Sequence, residues 1–348
     1  MQALHQRYTL HLLHEAAREV WNRFVDEHPN GHFLQSWEWG ELKAPTGWLP
    51  QRLVLWDREQ LRIVAGAQVL CRTAPHVPLR MGHLAYIPKG PVLDWRQPEL
   101  WEPFFTRLHE HLKRQGAVAL QVESAEETET EGGRWVAEWY RRWQMQPLHP
   151  VQPLRSIVLD LSPAEEALLA GMKEKWRYNV RLAARRGVTI RVAERPADVR
   201  AWYNLYRVTS ERDHFGIHDL EYYLRVWQLF APQNRLRLLL AEHEGQLLAG
   251  IFVGLFARQG IYLYGASGNE KRQLMPNYLL QWEAVRWCKQ QGATTYDFWG
   301  IPDTDAEGEA MAGVYRFKRG WGGRVVQYIG SYQHVYQPWL MRLAERFL

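Results

Sequence analysis

Cysteine is nearly absent from this sequence: among 348 residues only Cys71 and Cys288 carry thiols. They stand far apart, neither with a CxxC partner, so the chain supports neither a disulfide framework nor a thiolate metal site, and both are read as core thiols. Long apolar runs are missing as well. No stretch approaches the roughly 18 residues that span a bilayer, and His, Arg or Glu breaks every short apolar run in the first twenty residues, leaving no secretory core segment. A soluble, cytoplasmic protein is expected. The histidines form no ligand pattern. His14-Glu15 lacks the second histidine of HExxH, His109 and His111 sit two apart on a helix and face different ways, and His214, His218 and Asp219 lack a further ligand. His214, His218 and Asp219 are read as loop or helix-cap residues, and no metal is expected. No nucleophile elbow is present either, since Gly265-Ala266-Ser267-Gly268 has the wrong spacing for GxSxG.

What is present is apolar and aromatic. Hydrophobic residues make up 46% of the chain, enough for sizeable cores, and the length points to two domains. The 18 tryptophans suit either core filling or an interfacial contact with a lipid carrier, core filling being preferred. The formal net charge of +5 is modest, but the cations are unevenly placed. Residues 171–187, GMKEKWRYNVRLAARRG, read as a helix closed by glycine, with Lys173, Arg177, Arg181 and Arg185 at four-residue spacing along one face. Lys175 and Arg186 widen the stripe, and Glu174 is the lone acid. Such a face matches the phosphate track of a nucleic acid better than an idle solvated surface. Trp176 and Tyr178 lie among these cations, equally suited to core packing and to stacking on bases.

The same order of elements occurs twice. Residues 61–70 and 84–92 read as strands, 101–115 as an amphipathic helix and 118–122 as a strand; then 246–253 and 260–265 as strands, 277–291 as a helix closed by Gly292, and 294–298 as a strand. This grammar predicts an α/β (α+β) fold of two tandem domains with mixed sheets. The first is expected over 1–150, completed by the C-terminal segment 325–348, and the second over 151–324, with a hinge at 147–153.

Residues 296–323 join a strand, an acidic glycine-bearing loop and the pair Phe317-Lys318. A lysine held beside a flat ring can face the oxyanion of an acyl-transfer intermediate, and flanking glycines allow close approach. The competing reading is a hairpin with an exposed lysine.

The repeated grammar resembles the acyl-CoA N-acyltransferase (GNAT) fold. That fold binds CoA pyrophosphate on a glycine-bearing loop before the helix, whereas residues 269–277 and 94–100 contain no glycine, so CoA is disfavoured as donor. Six motifs in order carry a more specific resemblance, to the FemABX family of non-ribosomal peptidyltransferases. They are FLQSWEWGELK at 33–43, YIPKGPV at 86–92, VQPLRSIVLDL at 151–161, the basic helix, Glu211-Arg212 before Glu221-Tyr222-Tyr223, and YRFKRGW at 315–321. The short link from Tyr223 to the strand near Leu236 places the chain with compact members that lack a coiled-coil arm.

The resemblance implies transfer of an amino acid from aminoacyl-tRNA to the stem-peptide amine of a peptidoglycan precursor, UDP-MurNAc-pentapeptide or lipid II. No cofactor is implied. By the same resemblance Lys43 and Arg212 meet the acceptor's phosphates, Tyr262 or Tyr264 lines the acceptor cleft, and Phe317 and Lys318 sit beside the aminoacyl ester. Lys173, Lys175, Arg177, Arg181 and Arg185 receive the tRNA in the second domain, the first domain holding the acceptor. Glu123, where the family can carry an aspartate, is the candidate base or amine ligand, with a solvated turn carboxylate as the alternative. A peripheral membrane contact and a monomeric state are expected. Two other readings stay open: an N-acyltransferase for another envelope or polysaccharide amine, and a non-catalytic RNA-binding protein.

Overall fold

The computed structural model describes residues 7–74, 77–303 and 312–344, so the N-terminal stretch is seen only from Arg7. The chain divides into a first unit, Met1–Leu154 with Gln327–Leu348, and a second, Arg155–Val326.

In the first unit the strands are β1 (Tyr8–Leu13), β2 (Leu49–Asp57), β3 (Arg62–Arg72), β4 (His83–Pro88), β5 (Val92–Leu93), β6 (Ala117–Glu123), β7 (Gln146–Leu148) and, returning from the C-terminal part, β15 (Ser331–Val335). The sheet order is β1-β2-β3-β4-β6-β15-β7, with β5 on β3. The β4/β6 pair is parallel and β15 is antiparallel to both neighbours. Among the described residues of 1–154 the α-helices are α1 (Arg18–Glu27), α2 (Trp37–Lys43), α3 (Pro98–Arg114) and α4 (Glu131–Arg142). Proline in its first turn and three basic residues in its last suit α3 to its position, and Gly116 at φ 85° releases the chain into β6. Its Trp101, Phe104, Phe105, Leu108 and Leu112 recur at helical spacing and are buried on the sheet. Phe105 stacks on Trp139 of α4 with ring centroids 3.8 Å apart.

The second unit contains helices α5 (Glu165–Gly171), α6 (Glu174–Arg185), α7 (Pro196–Asp213), α8 (Leu220–Phe230), α9 (Pro276–Gln290) and α10 (Ala312–Arg319); α11 (Pro338–Ala344) belongs to the first. Its strands are β8 (Arg155–Asp160), β9 (Thr189–Val192), β10 (Leu236–His243), β11 (Gln246–Phe256), β12 (Gln259–Ser267), β13 (Thr295–Asp297) and β14 (Arg324–Gln327), in the order β14-β8-β13-β12-β11-β10-β9. Alternation along β10 and β11 builds two faces. Leu239, Ala241, Ile251 and Val253 share a core with Trp176 and Val180 of α6 and Leu280 and Ala284 of α9. On the opposite face Phe252 meets Trp202 of α7 at 4.6 Å. The joint parallel pair β12/β13 holds for three residues only, Gln259 to Ile261 against Thr295 to Asp297.

Both thiols are buried, and burial pushes Cys71 up to about 12 and Cys288 in the same direction. Among the described residues no group of His, Cys, Asp or Glu could hold a metal ion, and no helix is long and apolar enough to cross a membrane. His214 takes the left-handed position that ends α7, and Asp219 caps α8 by accepting from Tyr222 N at 3.0 Å.

Candidate functional site

Past Ile261 and Asp297 the strands β12 and β13 part, and the mouth of that fork holds a buried carboxylate and a buried ammonium, Asp297 and Lys318. Asp297 is fully buried. It accepts from Ser156 Oγ and, at 2.7 Å, from Trp299 N. The second bond forms because Trp299 adopts φ 61°, a left-handed conformation that costs a bulky residue roughly 1–3 kcal/mol. The bend presents two successive carbonyls to Lys318 Nζ, which donates to Trp299 O at 3.1 Å and Gly300 O at 2.7 Å.

Lys318 is only 6% exposed, so the exposed-hairpin reading is set aside: the residue lies in the last turn of α10 and points inward. Burial lowers its pKa to about 8 while the Asp297 carboxylate pulls the other way. Its ammonium stands 5.6 Å from the centre of the Tyr262 ring. Phe317, half-buried, packs edge-on against Tyr278 at 5.4 Å and Trp321 at 5.8 Å. Trp176 Nε1 donates to Phe317 O at 2.9 Å, and a Cβ at Gly320 would strike the Trp176 indole, so glycine is required there for α10 to seat on α6. The acidic loop expected between strand and helix lies outside the described residues over 304–311.

Tyr262 and Tyr264 are two apart and would share a face in a regular strand. The register shifts between Phe252 and Val253, which leaves Leu263 unpaired as a bulge. Tyr262 consequently packs with the α6/α9 core beside Lys318, and Tyr264 faces α7 and α8, with its hydroxyl 3.2 Å from that of Tyr222. Burial raises both phenols.

The cationic helix is α6, with Lys173 at its N-cap. Lys173, Lys175, Arg181 and Arg185 are exposed. Arg177 differs: its guanidinium donates to the carbonyls of Ala170 and Met172 and fastens α6 to the end of α5. The two aromatics separate as well, Trp176 into the core and Tyr178 outward at 54% exposure. Before α9, where an acyl-CoA pyrophosphate would need free amides, Leu274 N and Met275 N donate to Lys271 O and Arg272 O, Tyr278 N donates to Met275 O, and Pro276 has no N–H. Those three amides are not free to cradle a phosphate.

Arg212, on α7, already has a full set of acceptors. It grips Asp213 through two bonds of 2.9 Å and donates to Ser267 O and Asn269 Oδ1 at 3.0 Å each. A phosphate there would have to take the place of the Asp213 carboxylate, which this arginine holds below the usual carboxylate range.

In the first unit Lys43 closes α2, with its ammonium 4.7 Å from the Trp39 ring centre. Glu123 ends β6 and is 2% exposed. Its carboxylate accepts from Tyr86 Oη at 2.6 Å, Val151 N at 2.5 Å and Gln152 N at 3.1 Å. It is therefore a tie between the β4/β6 fork and the segment that follows β7, not a solvated turn residue. Beside it Lys89 is buried with its ammonium 3.2 Å from the Tyr328 ring centre. Each unit thus ends its parallel strand pair on a tyrosine, a buried carboxylate and a buried lysine: Tyr86, Glu123 and Lys89 in one, Tyr262, Asp297 and Lys318 in the other.

Asp297, Ser156, Trp299 and Lys89 escaped the sequence reading. Asp297 stood inside the singled-out segment 296–323, where only Phe317 and Lys318 were given roles, and a carboxylate ending a core strand in both repeats was the available signal.

The family model described as FemAB family matches residues 17–132, 143–246 and 239–347. Among curated proteins, lipid II:glycine glycyltransferases of Staphylococcus aureus and Staphylococcus epidermidis are similar. They are 26% identical over 400 aligned positions and 24% over 395, respectively, each alignment covering 93% of this chain and 92% of the relative. Of solved structures, a crystal structure of FemX superimposes with a TM-score of 0.86 at 23% identity, covering 96% of this chain and 99% of that one. A tandem GNAT protein from the clavulanic acid biosynthesis pathway gives a TM-score of 0.55 at 11% identity, covering 94% and 98%. These likenesses agree with a fold of two tandem GNAT-like units.

Proposed function

This chain belongs to the FemAB family and is an acyl-transferring enzyme, and from that premise we propose that it moves an amino acid from aminoacyl-tRNA to the stem-peptide side-chain amine of a peptidoglycan precursor. The lipid II:glycine glycyltransferase relatives favour lipid II as the acceptor; UDP-MurNAc-pentapeptide is the soluble counterpart. The observation that carries the reading is the buried Lys318 ammonium held at the β12/β13 fork by two carbonyls. An aminoacyl ester is already activated. Attack by the neutral amine forms the C–N bond and a tetrahedral oxyanion; collapse breaks the ester C–O bond, and the tRNA hydroxyl departs with the proton the amine gives up. Lys318 faces the negative charge that develops on the way, and alignment of the two substrates supplies much of the remaining rate.

Two features support a charged-tRNA donor over acyl-CoA: the exposed cations of α6, and the stretch leading into α9, where the Leu274, Met275 and Tyr278 amides are already bonded. The second unit accordingly takes the donor and the first, with Lys43, the acceptor. Such a donor places the reaction in the cytoplasm, and the protein acts as a monomer. Mass spectrometry of each acceptor after incubation with mixed charged tRNAs tests this, with uncharged tRNA and acyl-CoA as controls. A gain of one or more amino-acid masses only with charged tRNA is expected. A gain with acyl-CoA instead would move the reading to another envelope N-acyltransferase, and tRNA binding without any gain to a non-catalytic RNA binder.

A further inference from the structure

Three segments of the first unit meet at the entry ends of β4 and β6. One is the short 3₁₀ turn Leu79–Met81 before β4, the second is the end of α3, and the third is the start of α11. Their contacts are direct. A Cβ built on Gly82 would lie 4.0 Å from Leu340 Cδ1, and one on Gly116 would strike Arg80 O. Lys113 Nζ stands 5.7 Å from the Tyr336 ring centre, and Gln337 Nε2 donates to Ala117 O at 3.2 Å.

On this end the chain turns two large apolar side chains to solvent, Met81 at 69% and Trp339 at 64% exposure. Folding has sorted the tryptophans: Trp21, Trp95, Trp139, Trp202 and Trp321 are fully buried, which makes an outward indole and an outward methionine on two segments that meet hard to explain as leftover surface. Around them Arg80, Lys113, Arg114 and Arg342 are exposed. Over residues 77–84, 110–116 and 334–342 the sole acid is Glu110. An indole and a thioether ringed by guanidinium and ammonium groups fit a headgroup layer, where the rings lodge at the acyl boundary and the cations meet lipid phosphates.

We propose that this end of the first unit, Met81 and Trp339 within the ring of Arg80, Lys113, Arg114 and Arg342, docks on an anionic bilayer surface. It deepens the preceding reading by giving a place to a lipid-borne acceptor, and binding is measured without turnover, so the two can fail separately. The test is co-sedimentation of the full chain with vesicles of phosphatidylcholine alone or mixed with phosphatidylglycerol. Binding is expected on the mixed vesicles, falling with salt. Arg80→Glu with Arg342→Glu should weaken it about tenfold or more, and Met81→Ser with Trp339→Ser should weaken it at unchanged salt dependence.

Both pairs leave transfer to the soluble acceptor unchanged, which also reports that they fold. Because the native thiols are buried, Met81→Cys takes a polarity-sensitive fluorophore selectively, and its emission should shift to the blue on the mixed vesicles. Equal sedimentation of wild type and variants, or no shift at position 81, would overturn the proposal. So would a dimer in sedimentation equilibrium that Trp339→Ser dissolves, since the patch would then seat a second copy.

Discussion

Two of the three N–H bonds of Lys318 are committed to Trp299 O and Gly300 O, which leaves one for an oxyanion. Losing that donor removes a charge that acts in a dry site. Lys318→Ala is expected to lower kcat about 10²- to 10³-fold while leaving tRNA affinity intact; unchanged turnover would strip the residue of the role. Because burial brings its pKa to about 8 and Asp297 opposes that fall, the ammonium form is lost as pH rises through that value. Asp297→Asn should therefore move the alkaline limb of the rate profile to lower pH, read in kcat against pH; an unmoved limb would uncouple the two groups. Glu123 calls for a different measurement. Its three accepted bonds make it a tie, so Glu123→Gln, which sets an amide N–H against a backbone donor, is expected to cost about 1–3 kcal/mol of stability in urea. A changed pH profile at intact stability would make it the base instead. The Phe317-Lys318 pair was legible as an aromatic beside a cation, but its burial was not, because nothing in the local pattern tells that Trp299 turns left-handed and brings two carbonyls over it.

Helix α6 shows what an element adds to its residues. The four-residue spacing of Lys173, Arg177, Arg181 and Arg185 was readable from the sequence, as were most strands of both repeats, because periodicity is a local property. Arg177 was not separable from its neighbours, since its partners are the carbonyls of Ala170 and Met172, and a carbonyl's direction is set by where α5 ends. The two kinds of cation should behave differently. Reversing Lys175, Arg181 and Arg185 to Glu is expected to weaken tRNA binding and reduce the slope of log K against log salt by about 2, near 0.7–0.9 per phosphate contact. Stability should stay close to wild type; an unchanged slope would make the face an idle solvated one. A bulge illustrates the same limit of local reading. Leu263 sends Tyr262 and Tyr264 to opposite faces, whereas strict alternation leaves them together, so only the paired strand reveals which tyrosine stands by Lys318.

At the scale of the whole molecule, the decisive feature is that the first unit is not finished until the chain comes back. Strand β15 enters between β6 and β7, and Gln121 donates to Ser331 Oγ across a separation of 210 residues. Tyr332 stacks on Tyr140 at 4.2 Å and Tyr336 N donates to Val118 O at 2.8 Å, so the returning segment fills core as well as sheet. The expectation that 325–348 completes the first domain names the segment but not the strands it enters between, because register against distant strands is not a local quantity. The second unit is continuous over Arg155–Val326 with its own seven-stranded sheet, so its contacts close over shorter loops and should form first. Ending the chain at Val326 strips β15 from β6 and leaves two unpaired edges inside the first unit. That truncation is expected to leave residues 155–326 protected in hydrogen exchange while amides of β6 and β7 exchange freely; protected β6 amides would show that the first unit closes without the segment. Adding a peptide of residues 327–348 to the truncated chain should restore protection at β6. The recovery should be slow and second order, because the strand must then find its slot from solution.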